Sequence, residues 1–259
     1  GLMPATRRRW LAGLAAATAG AMLSACDKLT MNSGVQMTLA RAEGLTRRAQ
    51  RLVANRTALA TEFAEHQISP DFRANGSTAP GDLEYRALVE SGIADWRLVS
   101  DGLVDRPLSL SLAELRAQPA RTQITRHDCV EGWSAIGKWT GARLGPLLDK
   151  AGLKDEARYL VFHCADALDP NAPEGLARYY ESIDLIDAFH PQTILAYDMN
   201  GAPLAVKHGA PTRLRVERQL GYKHAKYVMR IEAVADFAHL GGGKGGFWED
   251  RGYEWYAGI

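Results

Sequence analysis

Apolar residues return with the period of a helix in the first part of the chain. Between residues 35 and 66 they are spaced by three, four and seven positions, with arginines mostly elsewhere. The spacing predicts an amphipathic helix that packs on the following domain, since three glutamates dilute the positive face that a membrane-surface helix needs. Residues 68–80 contain Ser-Pro, Asn-Gly and Ala-Pro pairs, which indicate a loop.

Short apolar runs separated by turn signals follow residue 80 and predict strands. Asn200-Gly201 is a strong hairpin signal, because both residues readily adopt the left-handed conformation of a two-residue hairpin turn. Two hairpins and four single strands are predicted, over residues 96–99 with 102–104, 194–199 with 204–206, and 121–125, 159–164, 213–217 and 227–235.

Short helices are predicted between these strands. Ser111 is a capping residue for a helix over residues 111–116, and Gly152 ends a helix over residues 144–151. A third helix is predicted over residues 182–188. Because strands and helices do not alternate strictly, the pattern predicts a mixed α+β fold rather than a doubly wound parallel sheet.

The first 25 residues have the pattern of an export signal. Three arginines at positions 7–9 precede an uncharged run of 13 residues, which is too short for a membrane-spanning helix of ~20 residues. The adjacent arginines resemble a twin-arginine signal, which exports proteins already folded around a cofactor. Leu-Ser-Ala-Cys resembles a lipoprotein cleavage box and predicts acylation of Cys26. The alternative is a buried alanine-rich helix with Cys26 in a core.

Charge and missing motifs exclude several classes of function. The 31 basic and 30 acidic residues give a net charge of +1, so no basic field is present to hold nucleic acid. HExxH, CxxC and GxSxG motifs are absent and no GxGxxG follows a strand, which leaves zinc, covalent haem, hydrolase and dinucleotide sites unsupported. The glycine-rich residues 241–246 lack the Ser or Thr that follows the lysine of a phosphate loop.

One stretch, residues 125–141, concentrates groups that can bind a metal. It contains a single thiol, Cys129, among charged residues, with glycines and two tryptophans that suit a flat ligand. A thiolate is a soft ligand for a transition metal. Three neighbours would favour the ionised thiol, namely Arg126, His127 and Lys138. On the residues alone, a disulfide between Cys129 and Cys164 is an equal alternative.

The segment Cys-Val-Glu-Gly-Trp-Ser is followed five residues later by Thr-Gly, and four further segments occur downstream, at residues 179–184, 190–191, 208–213 and 221–226. In this order they resemble the sulfite-oxidase superfamily of molybdopterin enzymes. The likeness is strongest to periplasmic methionine-sulfoxide reductase catalytic subunits, which are also exported by the twin-arginine route. It covers most of residues 70–235 and implies a sulfite-oxidase-type molybdopterin-binding fold with an N-terminal helical extension.

The resemblance implies a molybdenum–molybdopterin cofactor and a role for each matching residue. Cys129 matches the thiolate that binds molybdenum, Tyr179 matches a tyrosine beside the metal, and Glu131 is implied near it. Arg213 matches an arginine for the pterin phosphate, which suits a bidentate guanidinium. The other implied cofactor-binding positions are Asn75, Cys164, His208, His224, Ala225 and Lys226. His208 replaces an asparagine of the family, and Cys164 replaces a threonine.

The implied reaction is two-electron oxygen-atom transfer. Glu131 and Trp133 stand in the region where sulfite oxidases carry an arginine of an anion pocket, so a neutral sulfoxide is favoured over sulfite. We therefore expect a periplasmic oxidoreductase that reduces an S-oxide such as methionine sulfoxide. Two alternatives stay open: an oxidase or dehydrogenase of sulfite or another small anion, and a non-catalytic lipoprotein binding module in which Cys129 and Cys164 are bridged.

These expectations give a domain organisation. Residues 1–25 are the signal, residues 26–80 a lipidated tether with the helix, and residues 81–259 the catalytic domain, to which the loop of Asn75 contributes. We expect no dimerisation domain and no fused haem domain. The expected protein is a monomer, anchored to the membrane by lipid at Cys26. It would exchange electrons with a separate protein, such as a membrane haem or quinone-linked subunit or a cytochrome.

Overall fold

The computed structural model describes Val35, residues 57–173 and residues 175–259. The predicted export signal, its lipid-attachment cysteine and residues 36–56 of the predicted helix lie outside this part of the chain. The chain divides into two compact units at residue 55, and the second unit contains the fold described here. None of the described helices is long and apolar enough to cross a membrane.

Ten strands are present in the described part of the chain. Their bounds are β1 Arg97–Gly102, β2 Leu108–Ser111, β3 Ala120–Cys129, β4 Trp133–Arg143, β5 Tyr159–Ala167, β6 Arg178–Asp184, β7 Ile194–Met199, β8 Ala202–Pro203, β9 Arg213–Arg215 and β10 Val228–Val234. One sheet has the order β2-β1-β10-β5-β6, in which β1 and β10 are parallel and the other neighbours antiparallel. The other sheet has the antiparallel order β3-β4-β7-β8, and β9 pairs with β7.

Short helices connect the strands. The α-helices are α1 Leu83–Glu90, α2 Leu112–Arg116, α3 Leu144–Ala151 and α4 Leu185–Ala188, and the 3₁₀ turns are Glu65–Gln67, Val206–His208, Gly221–Lys223 and Glu249–Arg251. Helix α2 begins with a capping box, in which the Ser111 hydroxyl accepts from the Glu114 amide and the Glu114 carboxylate accepts from the Ser111 amide. Helix α3 ends at Gly152, whose φ of 70° is a left-handed conformation that favours glycine.

The main hydrophobic core takes side chains from both sheets and from α3. Leu160 on β5, Leu195 on β7 and Leu214 on β9 are fully buried in it, together with Leu144 on α3. A second cluster forms around Trp139 on the other side of β4. Because β4 and β7 contribute to packing on both sides, they form a rigid centre for the elements that carry the site.

The Cys129 segment is itself a hairpin. Strands β3 and β4 are antiparallel, with Cys129 opposite Trp133, and the loop between them is Val130-Glu131-Gly132. The Gly132 amide donates to the Cys129 carbonyl at 3.0 Å, and Gly132 has a φ of 85°. A three-residue hairpin loop with glycine in the left-handed position is a common solution. The thiol therefore lies at the end of a strand that is held along its whole length.

Several elements predicted from the pattern are confirmed. The strand over residues 194–199 and the helix over residues 144–151 have the predicted bounds. Asn200 and Gly201 have φ values of 52° and 81°, as the hairpin turn requires, although the partner strand is β8 rather than residues 204–206. The other single strands overlap β3, β5, β9 and β10, and the mixed α+β class is confirmed.

The helix prediction is wrong for residues 57–64, and residues 65–67 form only a 3₁₀ turn. This segment lies beside β3, where the Phe63 amide donates to the Ile124 carbonyl at 2.9 Å and Glu62 forms a bridge with Thr125. The helical spacing of its apolar residues is overridden by pairing with a strand far away in the sequence. Helix α1, which Asp82 caps by accepting from the Tyr85 amide, falls in a stretch with no predicted element.

Two other predictions need correction. Residues 96–104 do not fold back as a hairpin, because β1 continues to Gly102 and pairs with β2 and β10 instead. Residues 182–184 belong to β6, so the predicted helix begins only at Leu185, after the Asp184 side chain accepts from the Asp187 amide. Strands β2, β4 and β6 were not predicted as strands.

Substitution of Gly141 by alanine is expected to destabilise the fold by about 1–3 kcal/mol, the usual cost of overpacking. Strands β4 and β7 approach so closely at Gly141 that an added Cβ would overlap the Leu195 carbonyl and lie 2.6 Å from the Ala196 Cα. Urea unfolding measures the change. Gly81→Ala is the matched control, since an added Cβ there meets nothing within 4 Å. Equal stabilities of the two variants would contradict the close approach.

Candidate active site

A cavity of about 140 Å³ lies between the tip of the β3–β4 hairpin, strand β6 and the chain that follows the 3₁₀ turn Gly221–Lys223. Six of the predicted site residues line it, namely Asn75, Cys129, Glu131, Tyr179, His224 and Lys226. Four others do not, namely Cys164, His208, Arg213 and Ala225. The structure thus brings side chains from four distant parts of the sequence to one place.

The Cys129 thiol is partly buried, and burial raises its pKa above the usual value. The expectation that three neighbouring cations would favour the thiolate is wrong. Arg126 pairs with Asp128 at 2.8 Å, and Lys138 pairs with Glu65. His127 is turned inward, and its pKa is well below the usual value because it is buried beside Arg215. Arg73, which is exposed, is the cation whose charge lowers the Cys129 pKa.

Glu131 lies at the mouth of the cavity, in the hairpin loop. It is exposed to solvent, and its carboxylate accepts a hydrogen bond from the Trp133 indole at 3.0 Å. The adjacent Val130 is also exposed, with 45% of its surface accessible. Glu131 thus faces solvent at the cavity rather than the protein interior, and it places a negative charge two residues from the thiol.

Tyr179 lies on the opposite wall, in β6. Its hydroxyl donates to the Tyr222 carbonyl, and its ring stacks on Phe247 with 5.7 Å between centroids. Burial raises the pKa of Tyr179 well above its usual value, and Glu181 and Glu249 raise it further. The side chain therefore holds its proton at physiological pH, and its orientation is fixed by a backbone carbonyl.

Lys226 forms the inner end of the cavity. Its ammonium donates to the carbonyls of Asn75 at 2.8 Å, Ser77 at 2.5 Å and Lys207 at 2.9 Å. Burial and the charge of Arg213 lower its pKa to about 7. Three carbonyl dipoles orient the charge without neutralising it, so this position favours an anion.

Arg213 lies behind Lys226 and is fully buried. It donates to the His208 carbonyl at 3.1 Å and the His224 carbonyl at 3.5 Å, and its Nε has no partner among the described residues. Burial and the neighbouring Arg215 lower its pKa to about 9. The Nδ1 atoms of His208 and His224 are also buried without a partner. Burial lowers the pKa of His208 to about 4 and that of His224 well below its usual value.

The donor set fits a cofactor that carries an anionic phosphate and brings metal ligands with it. The unpaired Nε of Arg213 and two buried cations with lowered pKa values are costly to bury alone, and an anion would satisfy them. No group of three or more His, Cys, Asp or Glu side chains suited to a metal ion occurs in the described residues. A metal bound at Cys129 would therefore need other ligands, and a pterin dithiolene would supply them.

Cys164 and Ala225 are in the core rather than in the cavity lining. Cys164 is buried on β5, 3.8 Å from the Phe162 carbonyl, and burial raises its pKa well above the usual value. Ala225 is fully buried, and its amide donates to the Lys223 carbonyl at 3.1 Å. The two thiols, Cys129 and Cys164, are both free. The predicted contacts of Cys164 and Ala225 with a cofactor stay predictions.

Sequence reasoning missed Asp166, Trp248 and Tyr253, which also line the cavity. Burial raises the pKa of Asp166 to about 6. Its Oδ2 accepts from the Ser77 hydroxyl at 2.9 Å, while its Oδ1 has no partner among the described residues. An acidic residue inside the apolar run of β5 was a signal that could have drawn attention to this position.

Residues 86–239 match the family described as the oxidoreductase molybdopterin binding domain. The chain belongs to this family. It is thus an oxidoreductase with a molybdopterin-binding domain, and the predicted family is confirmed. The match covers the Cys129 hairpin, β6 and the buried cations, and it ends before Trp248 and Tyr253.

Named relatives of this oxidoreductase are similar over different lengths. A putative protein-methionine-sulfoxide reductase subunit, YedZ1, from Azospira oryzae is 38% identical over 203 residues, which are 76% of this chain and 70% of the relative. The protein-methionine-sulfoxide reductase catalytic subunit MsrP from Xanthomonas campestris is 35% identical over 55% of this chain and 46% of the relative. The uncharacterized oxidoreductase YuiH from Bacillus subtilis is 32% identical over 67% of this chain and 77% of the relative.

A solved structure, the sulfane dehydrogenase SoxCD from Paracoccus pantotrophus, is 25% identical with a TM-score of 0.48. The match covers 55% of this chain and 39% of the SoxCD chain. The present chain spans less than half the length of the MsrP relative that it matches.

The contribution of Lys226 to the stability of the cofactor-free protein is expected to increase as the pH rises from 7 towards 10. The folded pKa of Lys226, about 7, lies below its ordinary value of 10.5, so the unfolded chain binds more protons in this window. Lys226→Met should lose that part of the increase, by at least about 1.4 kcal/mol, the equivalent of one pKa unit. Urea unfolding of cofactor-free protein across this pH range measures it.

Lys207→Met is the matched control, because Lys207 is an exposed lysine close to the same site. It should keep the pH dependence of the unmodified protein. If the unfolding free energy of Lys226→Met changes with pH as it does in the unmodified protein, the folded state does not disfavour the charged form of Lys226.

Proposed function

We propose that this oxidoreductase reduces S-oxides, with methionine sulfoxide as the leading substrate class. The observation that carries the proposal is the single cavity in which the Cys129 thiol, the Glu131 carboxylate and the Tyr179 hydroxyl lie next to the buried cation Lys226. The names of the YedZ1 and MsrP relatives, which refer to protein methionine sulfoxide, support the choice of substrate.

In the proposal, the chain holds a molybdenum–molybdopterin cofactor between two groups of residues. Cys129 supplies a thiolate to the metal, and Arg213 and Lys226 bind the phosphate of the pterin. The His224 Nε2 donates to the Gln219 carbonyl, so the unpaired His224 Nδ1 accepts a hydrogen bond from the pterin rather than donating one to the phosphate. The cofactor, when bound, supplies two-electron oxygen-atom transfer. The protein contributes orientation, exclusion of water and electrostatics.

Charges at the mouth support a neutral substrate. Glu131 is exposed beside the thiol, and a carboxylate there repels a dianion such as sulfite. Arg73 is the opposite charge that acts on Cys129. A sulfoxide carries no net charge, so the Glu131 carboxylate does not repel it.

The chemistry needs protons as well as electrons. Reduction of an S-oxide breaks the S–O bond, sulfur keeps an electron pair, and the oxygen leaves as water after it takes two protons. The two electrons come from a separate electron-transfer protein in this proposal. Asp166 is the lining carboxyl that can hold a proton near neutral pH, since burial raises its pKa to about 6.

Oxidation of sulfite or another small anion is the second candidate. The observation that favours it is Arg73, an exposed cation whose charge is felt at the thiol. The two candidates differ in their assays, because the anion oxidase predicts sulfite-dependent reduction of a cytochrome. Arg73→Ala should abolish that activity and leave S-oxide reduction largely intact.

Cys129→Ser is expected to lose bound molybdenum and to lower S-oxide reductase activity by at least about 100-fold. Changing a residue that only supports a metal ligand typically lowers metal affinity or activity by about 10–100-fold. Cys129 is the proposed ligand itself, so a larger loss is expected. Molybdenum is measured by elemental mass spectrometry, and activity with methionine sulfoxide and an artificial reductant. Full metal content and activity in Cys129→Ser would refute the proposal.

Cys164→Ala separates the two thiols. Cys164 is buried in the core, so its loss should lower the unfolding free energy and leave molybdenum content unchanged. Loss of molybdenum in a folded Cys164→Ala protein would instead support the predicted contact of Cys164 with the cofactor.

We also propose that the chain is exported to the periplasm and anchored there by lipid at Cys26, as the N-terminal pattern predicts. Cys26→Ala should move the protein from the membrane fraction to the soluble periplasmic fraction, because acylation needs the thiol. Immunoblots of cell fractions measure this. Protein that stays in the membrane fraction would contradict the lipid anchor.

A further inference from the structure

Part of the cavity lining comes from a segment that follows the family match. That match ends at residue 239, yet Trp248 and Tyr253 line the same cavity as Cys129. Their rings are stacked, with 5.3 Å between centroids and 27° between planes. Residues 246–254 are called the rim segment below.

The two rings belong to a continuous aromatic surface. Tyr253 packs edge-on against Tyr222, with 5.2 Å between centroids, and Trp248 packs edge-on against Phe247 at 5.3 Å. Phe247 stacks in turn on Tyr179, the tyrosine on the inner wall. At the outer end, 40% of the Tyr253 surface is exposed. Aromatic rings therefore lead from solvent into the cavity.

Buried ion pairs hold the rim segment in place. Lys223 is fully buried and donates to Glu249 of the rim segment at 2.6 Å and to Glu181 of β6. Asp250 accepts from the Tyr180 hydroxyl at 2.6 Å. The segment also joins β6 through the Phe247 amide, which donates to the Tyr180 carbonyl at 2.9 Å. The rings are thus presented on a fixed support, as a preorganised binding surface needs.

We propose that Trp248 and Tyr253 form a specificity wall that selects S-oxides carrying an apolar arm. The inference rests on the proposed S-oxide reductase function and names the part of the substrate that the protein recognises. Aromatic faces bind apolar groups and sulfur-bearing chains favourably, so the carbon arm of a methionine sulfoxide in a peptide gains contact energy there. A sulfoxide with two methyl groups leaves the wall largely unfilled.

The charged group at the mouth adds to this selection. Glu131 disfavours an anionic arm, and the ring faces of the wall favour an apolar arm over a strongly hydrated one. The combination favours a neutral, apolar arm attached to the reacting sulfur. Side chains of oxidised methionine in an extended peptide have this chemistry.

Tyr253→Ala tests the wall with two substrates that share the S–O bond and differ in the arm. With methyl p-tolyl sulfoxide, the KM of the molybdenum-loaded variant should rise at least about tenfold. With dimethyl sulfoxide, kcat/KM should change less than about twofold, because this substrate is too small to depend on the ring. Tyr253→Phe should behave like the unmodified enzyme with both substrates.

Trp248→Ala provides a second test, in which molybdenum content and the unfolding midpoint show that the site is intact. Leu83→Ala is the control for loss of an exposed apolar side chain, since Leu83 is 73% exposed on α1. The proposal would be refuted if kcat/KM fell equally with both sulfoxides in both wall variants. It would also be refuted if kcat/KM with methyl p-tolyl sulfoxide did not fall.

Calorimetric binding to oxidised enzyme without reductant separates this proposal from the proposed function. Methyl p-tolyl sulfoxide should bind the unmodified enzyme at least about tenfold more tightly than it binds Tyr253→Ala. Wall-dependent binding without any turnover would refute S-oxide reduction and keep the wall. Turnover together with an affinity that is unchanged in Trp248→Ala and Tyr253→Ala would refute the specificity wall and leave the proposed S-oxide reduction intact.

Discussion

Buried positive charge is the constraint on which the site depends. Arg213 and Lys226 are removed from water, and backbone carbonyls rather than carboxylates accept their hydrogen bonds. Burial lowers the pKa of both groups, so the folded chain carries an electrostatic cost at this place. A phosphate-bearing ligand relieves that cost and binds the folded state alone. Cofactor retention and fold stability are therefore linked through these two side chains.

The neighbouring arginine shows how differently the same residue type is used. Arg215, two positions along β9, donates to Glu217 at 2.6 Å and to the His127 imidazole at 3.0 Å. It is neutralised within the protein and ties β9 to the Cys129 hairpin. The backbone at Gly221 also packs closely on His127, since an added Cβ would lie 2.6 Å from the His127 ring. One arginine thus joins the elements of the site, whereas the Nε of Arg213 is buried without a partner among the described residues.

Sequence patterns predicted the local features well, because turns and caps depend on neighbouring residues. Gly152, the Ser111 cap and Asn200-Gly201 are examples, and the ordered motifs predicted six residues that share the cavity. Long-range pairing was not predictable in this way. Residues 57–64 continue a helical spacing but pair with β3 at Glu62 and Phe63 instead.

The same limit applies to the site. Asp166 lies between apolar residues of β5, and only the tertiary fold turns it towards the cavity together with the Ser77 loop. The distinction between Arg213 and Arg215 also needs the positions of Glu217 and His127, which no local pattern contains. Sequence patterns identified residue types suited to the site, whereas the surroundings of each residue depend on tertiary packing.

The burial of Lys223 limits the order in which parts of the fold can form during synthesis. It is fully buried and follows the cavity-lining Tyr222, and one of its two carboxylate partners, Glu249, comes after all ten described strands. A nascent chain that has not reached Glu249 must bury this lysine with Glu181 alone and lacks one wall of the cavity. Loss of one partner from a buried ion pair is strongly destabilising. The cavity beside Cys129 is therefore among the last features that synthesis can complete.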